Sequence, residues 1–485
     1  MTEGKKLKLD GDIKLFAEEL KLCFSKEEIE EIARETGFVK RKSKTRAWEF
    51  VCLCCFMDVE VANNTLVTLC TKLSEKTGIL VSNQALDQRL NERCVKFLKK
   101  IFEKLLRQTI TNNTRIPSMC DEYFKRIRIL DSTAFQVPES YKDIYPGSGG
   151  CSQASGVKIQ LEYELKSGNL LNVQVGAGSG SDNTFGSKIR ETIKAGDLIL
   201  RDLGYFNFED FLDIEKRKAF YISRLKPNIA VYIESNDIEY YKNGTPKKSS
   251  LFKRIYISDI MKQMSDGEHY ELKDVYIGQE KKLKTRLILY KLTNEQLKKR
   301  SEKSKKNAKK KGIKKSGNTI ELLGISMYIT NIEQEVLSAK QVYALYELRW
   351  QIEIIFKTWK SIFHIHAVKQ VRIERFQCQL YGKLILLLLS SSVMFKMRTL
   401  AMENKKLEAS EMKVSEIVHG YIDRLYFDLI KFPSRTFNNV KSVFENVVKN
   451  GLKSHKKDKK TVFDILGVCY KGVAPTFPTK PTLRN

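Results

Sequence analysis

The stretch YELRWQIEIIFKTWK, Tyr346 to Lys360, decides how the chain is read. On a helix turning about 100° per residue, Tyr346, Arg349, Glu353 and Lys360 fall within an arc of about 60°. Lys357 lands on the same stripe, while Leu348, Ile352, Ile355, Trp359 and Ile362 gather on the opposite side. The spacing predicts one helix that buries an apolar face and presents a lone carboxylate among cations and a phenol. Taken alone, Arg349, Glu353 and Lys357 at i, i+4 and i+8 also suit a ladder of solvated ion pairs, each contributing about 0.3–0.5 kcal/mol. The surrounding sequence has to separate the two readings.

A chain of 485 residues exceeds a single hydrophobic core, so several domains are expected. Its 86 Lys and Arg against 58 Asp and Glu leave a net charge of +28. That excess points to a polyanionic partner, and by charge alone nucleic acid, ribosome and anionic membrane all fit. The opening MTEGKKLKLDGDIKLF lacks the apolar core of a signal peptide. LILLLLSSSVMF (384–395) is too short to span a bilayer and predicts a buried helix. Ten cysteines without a secretion signal read as reduced thiols in the cytoplasm. Cys52 and Cys55 form a CxxC inside an apolar helix with no second ligand pair nearby, which reads as packing rather than zinc.

Residues 1–122 read as basic and helical, with KRKSKTR (40–46) leading into an apolar helix and a further helix over 81–106. This suits a DNA-binding domain and equally a basic helical bundle. RIRILDSTAF then alternates as a strand, and 157–165 with 169–177 read as a hairpin. A helix over about 184–195 and the strand LIL follow. Asp202 ends that strand, and Asn207 caps the next helix with Asp210 three residues on. Residues 226–335 read as a β-rich interruption through IYISDI and YELKDVYIGQEKKLKTRLILYKL. Within it KKRSEKSKKNAKKKGIKKSG (298–317) reads as a Lys-rich loop, either a phosphate clamp or a solvated run. Helix resumes from about 336, and 401–485 is helical before a Pro-rich end.

Asp131 and Asp202 thus stand at the carboxyl ends of two strands, the edge where α/β proteins place their sites. A helix packed by its Ile/Leu face could aim Glu353 at them. Three convergent carboxylates require a neutralising cation, and all-oxygen ligands favour Mg²⁺ or Mn²⁺ over zinc.

Asp-x-Gly-Tyr (Asp202, Gly204, Tyr205), a β-rich insertion and then Tyr-x2-Arg-x3-Glu-x6-Lys (Tyr346, Arg349, Glu353, Lys360) closely resemble the DDE transposases of the bacterial insertion-sequence-four family. FVKRKSKTRAWEF and DVYIG…KTRLILYKL resemble its 231-type branch. The resemblance implies a multidomain α/β chain: a helical DNA-binding domain (1–122), a ribonuclease-H-like catalytic core in two halves (123–225 and 336–400), the β-rich insertion (226–335) and a helical C-terminal region (401–485). It implies cut-and-paste DNA transposition at a two-metal site, with Asp131, Asp202 and Glu353 as catalytic ligands of two Mg²⁺ or Mn²⁺ ions. Tyr346, Arg349, Trp350, Lys357 and Lys360 would contact DNA, Arg349 by a bidentate phosphate grip. The implied partners are double-stranded DNA, both terminal inverted repeats and target, and a second copy of the chain in a synaptic complex, with no membrane. The implied place is the bacterial cytoplasm, on the nucleoid. Two alternatives keep the same residues: a transposase-derived DNA-binding protein that no longer cleaves, and a metal-dependent nuclease without strand transfer. In one respect the chain departs from the family. Relatives carry a Trp in the insertion that stacks on a flipped base, whereas Trp48, Trp350 and Trp359 all lie outside 226–335, leaving a Tyr or Phe such as Tyr328 for that place.

Overall fold

The structure is a computed structural model and describes residues 3–41, 46–108, 116, 118–149, 154–311, 322–454 and 460–468. The chain opens with helices α1 (Glu3–Cys23), α2 (Lys26–Glu35), α3 (Ala47–Cys55), α4 (Leu66–Thr77), α5 (Asn83–Arg89) and α6 (Glu92–Arg107). Side-chain caps set their starts: Ser25, Thr65, Ser82 and Asn91 accept from N–H groups of the first turns of α2, α4, α5 and α6. The single helix expected over 81–106 is therefore two, because Asn91 bonds the N–H groups of Arg93 and Cys94 and starts afresh. There follow β1 (Arg126–Gln136), β2 (Gly156–Glu164), β3 (Leu170–Ala177), α7 (Asp182–Lys188), β4 (Asp197–Arg201), α8 (Phe208–Lys216) and β5 (Phe220–Arg224). Next come β6 (Val231–Glu234), β7 (Phe252–Ile255), α9 (Ile257–Gln263), β8 (His269–Ile277), β9 (Leu283–Lys291), α10 (Asn294–Lys311) and β10 (Ile325–Thr330). The chain closes with α11 (Ala339–Glu347), α12 (Trp350–Ser361), α13 (Ile373–Lys405), α14 (Glu411–Lys431), α15 (Thr436–Asn450) and α16 (Val462–Leu466).

Two compact units emerge. The first comprises residues 1–119, 132–180 and 350–485. Its axis is α13, a helix of 33 residues that extends well past the apolar run 384–395 at both ends. By length and composition α13 could cross a membrane, yet 83% of its most apolar window is buried against α3, α6, α14 and α15. Helix α6 buries Phe97, Leu98, Ile101 and Leu105, while Lys96, Lys99, Lys100 and Lys104 point outward and pair with Glu92, Glu103, Glu35 and Glu28. The β2–β3 hairpin turns at Gly168, where φ is +73° and a Cβ would lie 2.0 Å from the Phe395 ring. Only glycine fits there.

Asp423 of α14 has its carboxyl pushed up to about 7, first by burial and then by the neighbouring charge of Asp58, against Lys76, Lys383 and Lys72. A carboxyl raised in the folded state holds its proton more tightly there than in the unfolded chain. Its contribution to stability is therefore full at low pH and declines as pH rises from about 4 through about 7. Asp423→Asn should accordingly stabilise the protein at pH 8 by about 1–2 kcal/mol and change little at pH 4.5. Denaturant midpoints at the two pH values measure this, and equal shifts at both would remove the titration as the cause.

The second unit comprises residues 120–131 and 181–349. Its strands lie in the order β1-β4-β5-β10-β9-β8-β6-β7. β1, β4 and β5 are parallel, and β10 joins β5 antiparallel before antiparallel pairing continues outward. The strands of 226–335 thus extend the same sheet, and their apolar residues share one core with β4, α8 and β5, including Ile199, Phe211, Tyr221, Leu287 and Met327.

Several local expectations change. IYISDI ends β7 and enters α9 rather than forming a strand of its own. The helix expected over 184–195 is α7 followed by a 3₁₀ turn at Arg190–Thr192. Asn207 does cap α8, but Asp210 does not complete a capping box; it is buried and pairs with Arg201 at 2.6 Å. The Lys-rich loop is helical through Lys311, because its first turns are anchored on the sheet; the rest of 298–317 lies outside the described residues, as do 42–45 of the basic N-terminal segment and the Pro-rich end. The single helix expected over 346–360 is interrupted: α11 ends at Glu347, and the N–H groups of Leu348 and Arg349 bond the carbonyls three residues back.

Candidate active site

The second unit brings two sequence-predicted carboxylates to one sheet edge. Parallel pairing of β1 with β4 sets Leu130 opposite Arg201. One residue further on stand Asp131 and Asp202, on strands about 4.8 Å apart. Asp202 follows the end of β4 as expected, whereas Asp131 lies within β1, which runs on to Gln136, so that what ends there is the pairing with β4 and not the strand. The opposite face is anchored by charge. Arg128, 1% exposed, donates to Asp197 at 3.0 Å and to the Thr192 carbonyl at 2.8 Å. Arg126 reaches Asp197 as well, at 2.7 Å. Burial alone would raise the Asp197 carboxyl, but hydrogen bonds from Arg126, the Lys194 N–H and Arg128 outweigh it and hold it below the usual range. Arg201 is clamped by Asp210 in the same way.

Each residue of Asp-x-Gly-Tyr has a local reason. The Asp202 carbonyl accepts from the Tyr205 N–H at 3.0 Å, closing the 3₁₀ turn Leu203–Tyr205. Gly204 lies so near α7 that a Cβ would meet the Asp182 carboxylate at 3.2 Å. Tyr205 is buried with Leu130, Phe185 and Ile189 and pins the turn to the core.

Two residues of the Tyr-x2-Arg-x3-Glu-x6-Lys signature meet these carboxylates. The Arg349 guanidinium donates to Asp131 at 2.7 Å and is 8% exposed. Tyr346 is buried, its hydroxyl 3.4 Å from the Arg201 carbonyl and 3.5 Å from Asp202 Oδ1. Burial raises the Tyr346 hydroxyl, the Asp202 charge adds to this, and Arg349 and Arg224 oppose it. A neutral phenol donor to a carboxylate is the result. Arg349 is therefore buried rather than solvated, and its partner Asp131 lies 218 residues away in sequence, so a ladder of surface ion pairs does not account for it.

Sequence reading passed over Arg224. It ends β5, next to β4, and its charge is felt by both Tyr346 and Tyr328. The available signal was a cation closing a short apolar strand, FYISR. Tyr328 is 6% exposed, with its ring against those of Tyr343 and Tyr346. It belongs to the packing behind the site and offers no open face for stacking.

In the first unit, α12 buries Ile352, Ile355, Phe356 and Trp359, as the apolar stripe predicts. Trp350 and Lys357 are exposed, and Glu353 is partly so. Lys360 donates to the Ala134 carbonyl at 3.0 Å, and burial lowers its ammonium from the ordinary lysine value.

Asp131 and Asp202 offer hard oxygen donors side by side where the β1–β4 pairing ends, a set that suits Mg²⁺ or Mn²⁺ and neither zinc nor a soft metal. A cation is already favoured at Asp131, where the Arg349 guanidinium sits. Among the described residues no three His, Cys, Asp or Glu side chains are gathered closely enough to hold an ion; the second unit by itself supplies two.

Comparison with known proteins places these features in a family. The Transposase DDE domain family matches residues 122–389. The transposase of insertion sequence element IS231E from Bacillus thuringiensis subsp. finitimus is 44% identical over 465 residues, 96% of this chain and 97% of that one. The transposase of IS1151 from Clostridium perfringens is 37% identical over 458 residues, covering 94% and 97%. Among solved structures, a piggyBac transposase synaptic complex with hairpin DNA superposes at a TM-score of 0.46 and 11% identity, over 93% of this chain and 88% of that one.

Proposed function

Because the chain belongs to the DDE transposases of bacterial insertion sequences, in the IS231 branch, we propose that it moves its element by metal-dependent DNA cleavage followed by strand transfer. The observation that carries this is the pairing at the sheet edge: Arg349 on Asp131 and Tyr346 near Asp202. A family signature and two aspartates, one within β1 and one just past β4, lie far apart in sequence and interlock residue by residue.

Asp131 and Asp202 hold the metal, and Glu353 supplies the third carboxylate by its place in the signature. Bound there, two Mg²⁺ or Mn²⁺ ions would acidify the attacking water or 3′ hydroxyl and stabilise the leaving 3′ oxygen. Tyr346 orients the Asp202 carboxylate through its hydroxyl. Arg349 has the planar fork that grips a phosphate, and Lys357, Lys360 and Trp350 serve the DNA on the other unit. Parallel β1, β4 and β5 support a ribonuclease-H-like core in the two halves 123–225 and 336–400. Residues 1–122 would bind the element's ends, 226–335 is the insertion, and 401–485 is the helical C-terminal region. The working form is a dimer with two ends synapsed, in the bacterial cytoplasm.

One incubation tests the reading: the protein with terminal-repeat duplex, a plasmid target and Mg²⁺. Joined product is expected. Cut product alone would make it a nuclease, and binding alone a DNA-binding derivative. In the same assay Arg349→Ala should slow cleavage by about 100-fold, the cost of about 3 kcal/mol, while weakening end binding less than tenfold. An equal fall in both would make Arg349 a general anchor rather than a group acting at the reacting phosphate.

A further inference from the structure

Helix α10 is unlike the other charged surfaces. Seen down its axis, Leu297, Arg300, Ser301, Ser304 and Ala308 form the inner stripe, and the outer arc carries Lys298, Lys299, Lys303, Lys305, Lys306 and Lys309. Only Lys299 among these has an ion pair, to Glu295 one turn back; the other five have none among the described residues. The lysines of α6, by contrast, are each answered by a glutamate.

So dense a run of like charges disfavours a helix, because cations at i and i+4 repel. The structure offsets this at the base. Thr293 and Gln296 cap the first turn, the Thr293 N–H donating to Gln296 Oε1 at 3.1 Å. Arg300 donates to the carbonyls of Leu323 and Ile325, at 3.1 and 2.9 Å, and to Ser326 Oγ at 2.8 Å. Arg300, on the inner face, is thus consumed as an anchor, and the lysines of the outer arc are left for an outside anion.

We propose that α10 is a preformed cationic bar that lies along the phosphates of duplex DNA. This rests on the transposase reading and adds to it the element that holds DNA away from the reacting phosphate. Eighteen residues give a bar of about 27 Å, and a duplex offers one phosphate charge per about 1.7 Å of axis. The lysines reach phosphates rather than bases, so the grip is indifferent to sequence. Besides Glu295, which pairs with Lys299, the outer arc carries Glu302, flanked by Lys298, Lys305, Lys306 and Lys309, and it weakens the grip.

The test uses the full chain and two duplexes, terminal repeat and scrambled, titrated from 100 to 300 mM KCl. Gln keeps helix propensity close to that of Lys. A variant with Lys303, Lys305, Lys306 and Lys309 all changed to Gln should lower the slope of log K against log salt by about 2–4, equally for both duplexes. Glu302→Gln should tighten both by about two- to fivefold. An unchanged slope in the quadruple variant, while the unaltered protein binds end DNA and cleaves it, overturns the bar and leaves the transposase standing. Failure of the unaltered protein to bind either duplex overturns both. Binding to phosphatidylglycerol vesicles that the four substitutions abolish, with the DNA slope untouched, assigns the helix to a membrane surface and overturns the proposal.

Discussion

Asp202→Asn should bind terminal-repeat duplex within about threefold of the unaltered protein and nick it in Mg²⁺ at least a thousandfold more slowly, a loss of about 4 kcal/mol in barrier. The substitution keeps the size of the side chain and an acceptor for the Tyr346 hydroxyl, which lies 3.5 Å from Asp202 Oδ1. It removes only the charge that a divalent ion requires. Glu353→Gln should behave alike, because the signature gives it the third carboxylate. A gel assay of nicked end DNA, run beside a binding titration, separates the two quantities. Undiminished nicking by Glu353→Gln would take that residue out of the ligand set. The same result for Asp202→Asn would end the assignment of this sheet edge as the active site.

Asp210→Ala should destabilise the protein by about 3–5 kcal/mol, since it strands the Arg201 guanidinium without its carboxylate in the interior. Arg201 and Asp210 are each 1% exposed in their side chains and lie 2.6 Å apart; Ser187 also donates to Asp210, at 3.1 Å. Replacing both charges, Arg201→Met with Asp210→Leu, should restore most of the loss, because the desolvation cost of the ions goes with their attraction. Urea unfolding of the three variants measures this. A double replacement no better than Asp210→Ala alone would show that the pair acts through its hydrogen bonds to α7 rather than through uncompensated charge. Function is tied to the outcome, for Arg201 is the last residue of β4 and Asp202 follows it directly.

Much of this was legible in one dimension. Alternation made β1 a strand through Asp131, although the strand runs on to Gln136, the short run LIL made β4 a strand ending before Asp202, and the period of Ile352, Ile355 and Trp359 made the buried side of α12. These are local signals: a two-residue or 3.6-residue period survives whatever the rest of the chain does. Where expectations failed, a partner distant in sequence decided. Asp210 reads as a cap residue until Arg201 takes it into the core. The Lys-rich run reads as a loop until Arg300 fastens its helical first turns to β10 and its flank.

The sequence by itself determined the residue types and their order, and with them the family: two strand-associated carboxylates, then a tyrosine, an arginine, a glutamate and a lysine at set intervals. Only the tertiary structure decided that the β1–β4 register makes Asp131 and Asp202 neighbours, and that Arg349 and Tyr346 attend one each. The reason is physical. Spacing along a chain fixes which face a side chain occupies, whereas pairing across a sheet depends on cores and buried charges contributed from hundreds of residues away.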